Sequence, residues 1–212
     1  MLEVTATVDS PRARDSVRTT TFPVTRLSLA ARMSTAAINP DGSLVHFPVP
    51  EPQAEATIAA SNGDLETLTS YTHTDKLFTP DSSTSNTPLI FAASNGHTSI
   101  VDHLLSSSPS LSQINHQGYL GNTALSRASR GGHSTCVQSL LSHGADPNIG
   151  NDKLQYPLHF AAFKKHPEVV RILIDSGKCD LNVKDRKGRT PDQDTSVEEI
   201  SAMIVASRLL KP

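Results

Sequence analysis

The sequence contains no tryptophan, and only 4% of its residues are aromatic. A compact globule fills much of its core with large rings, which bury a great deal of area per side chain, so a ring-filled core is excluded. Hydrophobic residues make up 36% of the 212, a content that suits a stack of thin units, each burying small aliphatic side chains against its neighbours. The length accommodates one domain with a continuous core and is short for two. Only two cysteines occur, Cys136 and Cys179, so no disulfide framework is expected and a reducing compartment fits. No apolar run reaches the roughly 18 residues that cross a bilayer. A net charge of −2 gives no overall attraction to nucleic acid or acidic membrane. The resulting expectation is a soluble, cytoplasmic chain with no membrane association, the nucleus being an alternative.

Residues 1–50 differ in composition from the rest. Arg12, Arg14, Arg18, Arg26 and Arg32 occur without a lysine, Ser and Thr are frequent, and Pro40, Pro48 and Pro50 punctuate the end. No helical or strand period persists, which predicts disorder. The Arg- and Ser-rich makeup of residues 1–32 also fits a mitochondrial or plastid transit peptide, against which Glu3, Asp9 and Asp15 count. Translation starting at Met33 is a third reading.

What the chain has in quantity is repetition. Ala59-Ala60-Ser61-Asn62-Gly63 recurs as Ala92-Ala93-Ser94-Asn95-Gly96, 33 residues on. Thr87-Pro88-Leu89 has counterparts in Thr123-Ala124-Leu125, Tyr156-Pro157-Leu158 and Thr190-Pro191-Asp192, at intervals of 36, 33 and 34 residues. A period of that size is the signature of a repeat array. The first three lead into a run of small residues and then Gly96-His97, Gly132-His133 or Lys165-His166. Beyond the histidines stand apolar pairs: Ile100-Val101 with Leu104-Leu105, Cys136-Val137 with Leu140-Leu141, and Val169-Val170 with Leu173-Ile174. Those spacings describe one face of a helix. Each unit is therefore expected to be a helix hairpin, with Pro in the first turn and Gly at the reversal. A hairpin so small cannot bury its apolar face alone, and stacking supplies the missing surface.

These residues resemble the ankyrin-repeat family over about 51–212. The resemblance rests on Thr87-Pro88-Leu89, on Pro157-Leu158-His159-Phe160-Ala161-Ala162, on the run from Leu140 to Asn148, and on Lys187-Gly188-Arg189-Thr190-Pro191. It implies an all-α solenoid of paired antiparallel helices carrying outward β-hairpin fingers. The divisions would be a degenerate N-cap at 51–86, repeats at 87–122, 123–155 and 156–189, and a C-cap at 190–212. Departures from the family pattern are informative. Thr and His are expected in one quartet, but Thr87 meets Ile90, Thr123 meets Ser126 and Tyr156 meets His159; each lost side-chain bond is worth about 1 kcal/mol, so a modestly stable array is predicted. Residues 106–110 lengthen one connection. In the last unit Asp192 replaces the usual Leu, Asp194-Thr195-Ser196 interrupts the first helix, and Ser196 with Glu199 forms a candidate capping box for the second.

Nine histidines invite a metal or catalytic reading. The tightest group is His133, Cys136 and His143, whose first pair has ligand-like spacing. A metal-dependent protein or enzyme subunit built on that group is the alternative reading. Against it, Cys136 falls on the core face of its helix and His143 beyond the helix end, whereas zinc needs about four convergent ligands, and a thiol buried among leucines is inert. No Gly-rich phosphate loop follows a strand. The chain is read as non-enzymatic, with no metal and no cofactor.

Function is therefore expected on the surface. The resemblance implies a protein partner, bound on the concave side formed by finger tips and inner helices by a monomeric scaffold or adaptor, in the role of an assembly chaperone or targeting subunit. Carried over by register, that face holds Tyr119, Leu120 and Asn122, then Arg127 and Arg130, then Lys153 and Gln155, then Phe163 and Lys164, and finally Arg186, Lys187 and Arg189. Residues 51–149 carry three Lys/Arg against eight Asp/Glu, net −5, whereas 150–190 carry nine against five, net +4. That asymmetry points to a partner with an acidic segment, with Tyr119 and Phe163 as apolar anchors. Nucleic-acid binding through the basic finger at 184–189 is a weaker alternative, since almost no aromatic side chains interleave with it. Asn148 stands in a turn that resembles ankyrin segments modified by asparaginyl hydroxylases.

Overall fold

A computed structural model of the chain describes residues 52–70, 77–107 and 109–210. The readings made for residues 1–50 lie outside these. Helices come in pairs: α1 (Pro52–Asn62) with α2 (Leu65–Thr69), α3 (Pro88–Asn95) with α4 (Thr98–Ser106), α6 (Ala124–Gly131) with α7 (Ser134–Ser142), α8 (Pro157–Phe163) with α9 (Pro167–Asp175), and α10 (Pro191–Asp194) with α11 (Glu198–Leu210). A single helical turn, α5 (Leu111–Ile114), lies between the second and third pairs. The first members pack on one another in the order α1, α3, α6, α8, α10, and the second members in the order α2, α4, α7, α9, α11. Two layers result, an inner one and an outer one.

Local chemistry starts and stops the inner helices. Thr87 and Thr123 have extended backbones, and their hydroxyls accept from the amides of Ile90 and Ser126, which removes one of the unpaired donors at a helix start. In α8 this arrangement is rebuilt with other atoms. His159 Nδ1 accepts from the Tyr156 amide at 3.4 Å, and Nε2 donates to the Arg189 carbonyl at 3.0 Å. Both ring nitrogens are thus satisfied in the neutral imidazole, and burial pushes its pKa below the ordinary value, outweighing the Arg189 carbonyl, Asp194 and Asp185, which act the other way.

The inner layer is thin because it is built on alanine. Ala59, Ala60, Ala92, Ala93, Ala124, Ala128, Ala161 and Ala162 are all buried, so adjacent helices approach closely. The outer helices bury Ile100, Val101, Leu104 and Leu105, then Cys136, Val137, Leu140 and Leu141, then Val169, Val170 and Leu173. Each full burial of a Leu, Ile or Val stabilises by about 1.5 to 3 kcal/mol.

A ladder of histidines ties the pairs together. His97 Nε2 donates to the Ser61 carbonyl at 3.0 Å, His133 to that of Ser94 at 3.2 Å, and His166 to that of Arg130 at 3.2 Å. Each ring therefore reaches back to the end of the preceding inner helix. To do so it lies against the glycine that ends that helix: a Cβ on Gly96 would come within 2.5 Å of the His133 ring, and one on Gly132 within 2.7 Å of His166. The next equivalent position is Lys165, which also has a positive φ of 63°. No histidine follows it in the last unit, so a side chain fits there.

Several expectations change. Among the described residues the fingers contain no strand. Each is a tight turn, such as the one closed by Asn151 N to Gln155 O at 3.0 Å, and successive fingers share a single backbone bond, Asp152 N to Leu120 O or Arg186 N to Lys153 O. The segments are too short to build a ladder. The connection after Leu105 is not loop alone, because α5 forms with a reciprocal cap between Ser110 and Gln113. Ser196 and Glu199 make no capping box. The helix begins at Glu198, Thr195 Oγ1 accepts from the Val197 amide at 3.1 Å, and the reciprocal cap belongs to Thr190 and Gln193 at the start of α10. Asp192, in the place of a core Leu, pairs with Arg208 at 2.6 Å, and Arg208 also donates to the Leu181 carbonyl. That pair fastens the short α10 to α11.

Candidate functional site

The inner face is built from the finger tips and the exposed sides of the inner helices. An acidic or amide residue at the finger base sets the turn: Asn151 Oδ1 accepts from the amides of Lys153 and Gln155, both at 2.9 Å, and Asp185 Oδ1 from those of Lys187 and Arg189. At Asp185 burial raises the carboxyl pKa, but the bonds and charge of Arg189 and the Lys187 amide outweigh it, and the carboxylate is held below its usual range. The same device operates at Asp81, where bonds from Ser83 and Thr84 hold the carboxyl down.

Such turns require positive φ near the tip, normally the province of glycine. Gly121 and Gly188 meet the requirement, Ser85 and Leu154 stand at the same position with φ of 55° each, and Leu120, one residue before Gly121, has φ of 59°. Both leucines point into solvent, 48% and 47% exposed. An exposed leucine in a left-handed conformation gains little from burial to offset its backbone cost of about 1 to 2 kcal/mol. With Tyr119 at 53% and Phe163 at 57%, they give this side four exposed apolar side chains. Leu154 was missed from sequence; its signal is a Leu two residues before Tyr156, where Ser85, Gly121 and Gly188 stand relative to Thr87, Thr123 and Thr190.

The other expected contact residues divide into two groups. Arg130, Lys153, Lys164, Arg186 and Lys187 are exposed. Arg130 lies 6.0 Å from the centre of the Phe160 ring, and Lys164 Nζ 5.7 Å from that of Phe163. Arg127 is half-buried on α6. Asn122 does not belong to the surface. It is 4% exposed, donates to the Tyr119 carbonyl and accepts from Asn151 Nδ2, so it braces one finger against the next. Gln155 is half-buried in a finger turn. Arg189 is held by Asp185 and Asp194, each at 2.9 Å, and Arg186 donates to the Asp152 carbonyl. Within the basic finger Arg189 is thus neutralised, whereas Arg186 is fixed in place with its charge retained.

The His133, Cys136 and His143 group is not brought together. His133 bonds to Ser94, Cys136 is fully buried with its Sγ 3.3 Å from Thr98 Oγ1, and His143 Nδ1 donates to the Ser139 carbonyl at 2.8 Å. Burial pushes the Cys136 thiol pKa up, away from the nucleophilic form. Among the described residues no three His, Cys, Asp or Glu side chains are placed to hold a metal ion, and no helix is long and apolar enough to cross a membrane. Asn148 links two turns, donating to the Lys178 carbonyl and accepting from the Asp180 amide, both at 2.8 Å.

Comparison with known proteins agrees with this architecture. A family model for ankyrin repeats in three copies matches residues 56–151, and one for ankyrin repeats in many copies matches 140–191. The human transient receptor potential cation channel subfamily A member 1 is 31% identical over 102 residues, covering 48% of this chain and 9% of the channel. The putative E3 ubiquitin-protein ligase XBAT31 of Arabidopsis thaliana is 32% identical over 136 residues, 57% of this chain and 28% of the ligase. The ankyrin repeat and KH domain-containing protein mask-1 of Caenorhabditis elegans is 33% identical over 106 residues, 50% of this chain and 4% of that protein. The chain spans less than a third of the length of each. Matched from Ala56 to Pro191 by ankyrin-repeat models, and folded as stacked helix pairs with fingers, this chain belongs to the ankyrin-repeat proteins.

Proposed function

We propose that the chain is a non-catalytic adaptor that binds a protein partner on its inner face, with Tyr119, Leu120, Leu154 and Phe163 as apolar contacts. The observation that carries this reading is the pair of exposed leucines held at positive φ on adjacent finger tips. Glycine stands at the Leu154 position in two other fingers, Leu120 adds a second left-handed residue beside Gly121, and strained exposed positions concentrate where a surface is used. Around the apolar contacts stand Arg130, Lys153, Lys164, Arg186 and Lys187, which favour a segment carrying acidic residues and steer its approach. The bound partner is held by one copy of the chain, as an assembly chaperone or targeting subunit would hold it, in the cytoplasm. The family's role in protein interaction supports the class of activity.

The test is capture from native extract by the full chain, by a Leu154→Ala/Phe163→Ala variant, and by Arg171→Ala, a change at an exposed site on the outer layer. A partner retained by the first and third and lost by the second, with unchanged unfolding temperature, is the expected result. If all three retain the same partner, the inner face is not the binding surface.

A further inference from the structure

The cations of the inner face differ in whether the chain itself neutralises them. Arg189 pairs with two carboxylates, and Arg186, though still charged, is tied to a carbonyl. On α6 the situation is different. Arg127 and Arg130 are three residues apart, and so adjacent on one side of the helix. Neither guanidinium forms an ion pair or hydrogen bond among the described residues. Arg127 is half-buried, and its Nε is fully covered with no acceptor. The Nε atoms of Arg189 and Arg208 are covered in the same way, so the Arg127 donor marks burial of its stem rather than a ligand position. Burial and then the Arg130 charge loosen its proton, with Tyr119 acting in the opposite sense. Arg130 is steadied over Phe160, and Lys164 extends from the next inner helix.

Two arginines one helical turn apart, neither of them ion-paired among the described residues, ask for more than one negative charge. A single carboxylate would leave one of them uncompensated. A phosphate monoester carries about −1.5 to −2 at neutral pH and three strong acceptor oxygens, and its geometry matches the guanidinium fork. The flanking side chains, Tyr119 and Phe163, suit the aliphatic and aromatic parts of a polypeptide. The net charge of −5 over residues 51–149 opposes a long polyanion such as nucleic acid. Resting on the inner-face reading above, we propose that Arg127 and Arg130 form the seat for a phosphorylated side chain of an extended partner segment. The basic finger at 184–189 then contributes steering rather than recognition.

The test uses the full chain and fluorescence polarisation at constant ionic strength. Probes are degenerate labelled peptide pools with a fixed central phosphoserine, glutamate or serine, and a labelled single-stranded oligonucleotide. The phosphoserine pool is expected to bind at least about tenfold more tightly than the glutamate and serine pools, a difference of about 1.4 kcal/mol. The exposed substitution Arg130→Gln should abolish that preference without lowering the unfolding temperature, and Arg127→Gln should do the same if it folds. Equal binding of the glutamate and phosphoserine pools, tighter binding of the oligonucleotide, a preference that survives Arg130→Gln, or no binding by any pool would each overturn the proposal. A partner captured from extract through Leu154 and Phe163 that is still captured after phosphatase treatment also overturns it, while leaving the inner-face reading in place.

Discussion

Substituting Gly132 by alanine tests what the histidine ladder demands of its neighbours. Two costs are separable. At φ 76° an alanine adopts the left-handed conformation at about 1 to 2 kcal/mol. In addition its Cβ would sit 2.7 Å from two atoms of the His166 ring. The ring must then move off the Arg130 carbonyl, losing a net hydrogen bond of about 0.5 to 1.5 kcal/mol. The sum is about 1.5 to 3.5 kcal/mol, equivalent to roughly 3 to 14 °C in a domain of this size. Gly177 supplies the control: its φ is 68°, and a Cβ there meets no heavy atom within 4 Å, so Gly177→Ala should show the backbone cost alone. Urea denaturation of both single variants, and of Gly132→Ala in a His166→Ala background, completes the comparison. The alanine should cost about 1 kcal/mol less once the ring is gone. An identical cost in both backgrounds would refute the argument that the glycine exists to admit the ring.

Lys165→Gly relieves a positive φ of 63° at the same place one unit later and should raise stability by about 1 kcal/mol in the same assay; a loss would mean that the lysine stem packs usefully. Thr123→Ala removes the cap on the Ser126 amide and should cost about 1 kcal/mol, readable as a lower urea midpoint at unchanged slope. For His159 the folded-state pKa lies below the ordinary 6.5 because of burial. The unfolded chain therefore takes up the proton first, and stability is full above 6.5 and falls as the pH drops below it, by at most about 1.4 kcal/mol per pH unit. His159→Gln should lose less stability between neutral and mildly acid pH than the parent; an equal loss would place the acid sensitivity elsewhere.

The helix pairs were legible in the sequence because their determinants are local: a capping Thr, a proline in the first turn, an apolar pair each turn and a glycine at the reversal. The buried positions Leu104, Leu140 and Leu173 follow from that periodicity alone. What escaped depends on partners distant along the chain. Asp192 looked like a defect in a core position, but its partner Arg208 is 16 residues away. Asn122 was placed on the surface by register, yet the next finger covers it and takes its side chain through Asn151. Arg189, Arg186 and Lys187 looked alike as sequence, and only the fold separates the first two, engaged within the chain, from the third. Leu154 was passed over because no local rule distinguishes a strained finger-tip leucine from an ordinary one.

The ladder also has a direction. Every histidine donates to a carbonyl in the unit before its own, and none of the three reaches forward. On a ribosome, where the N-terminal units emerge first, each new ring would find its acceptor already in place, and each glycine would wait without penalty for the ring still to be translated. Assembly could then advance one unit at a time at the pace of elongation.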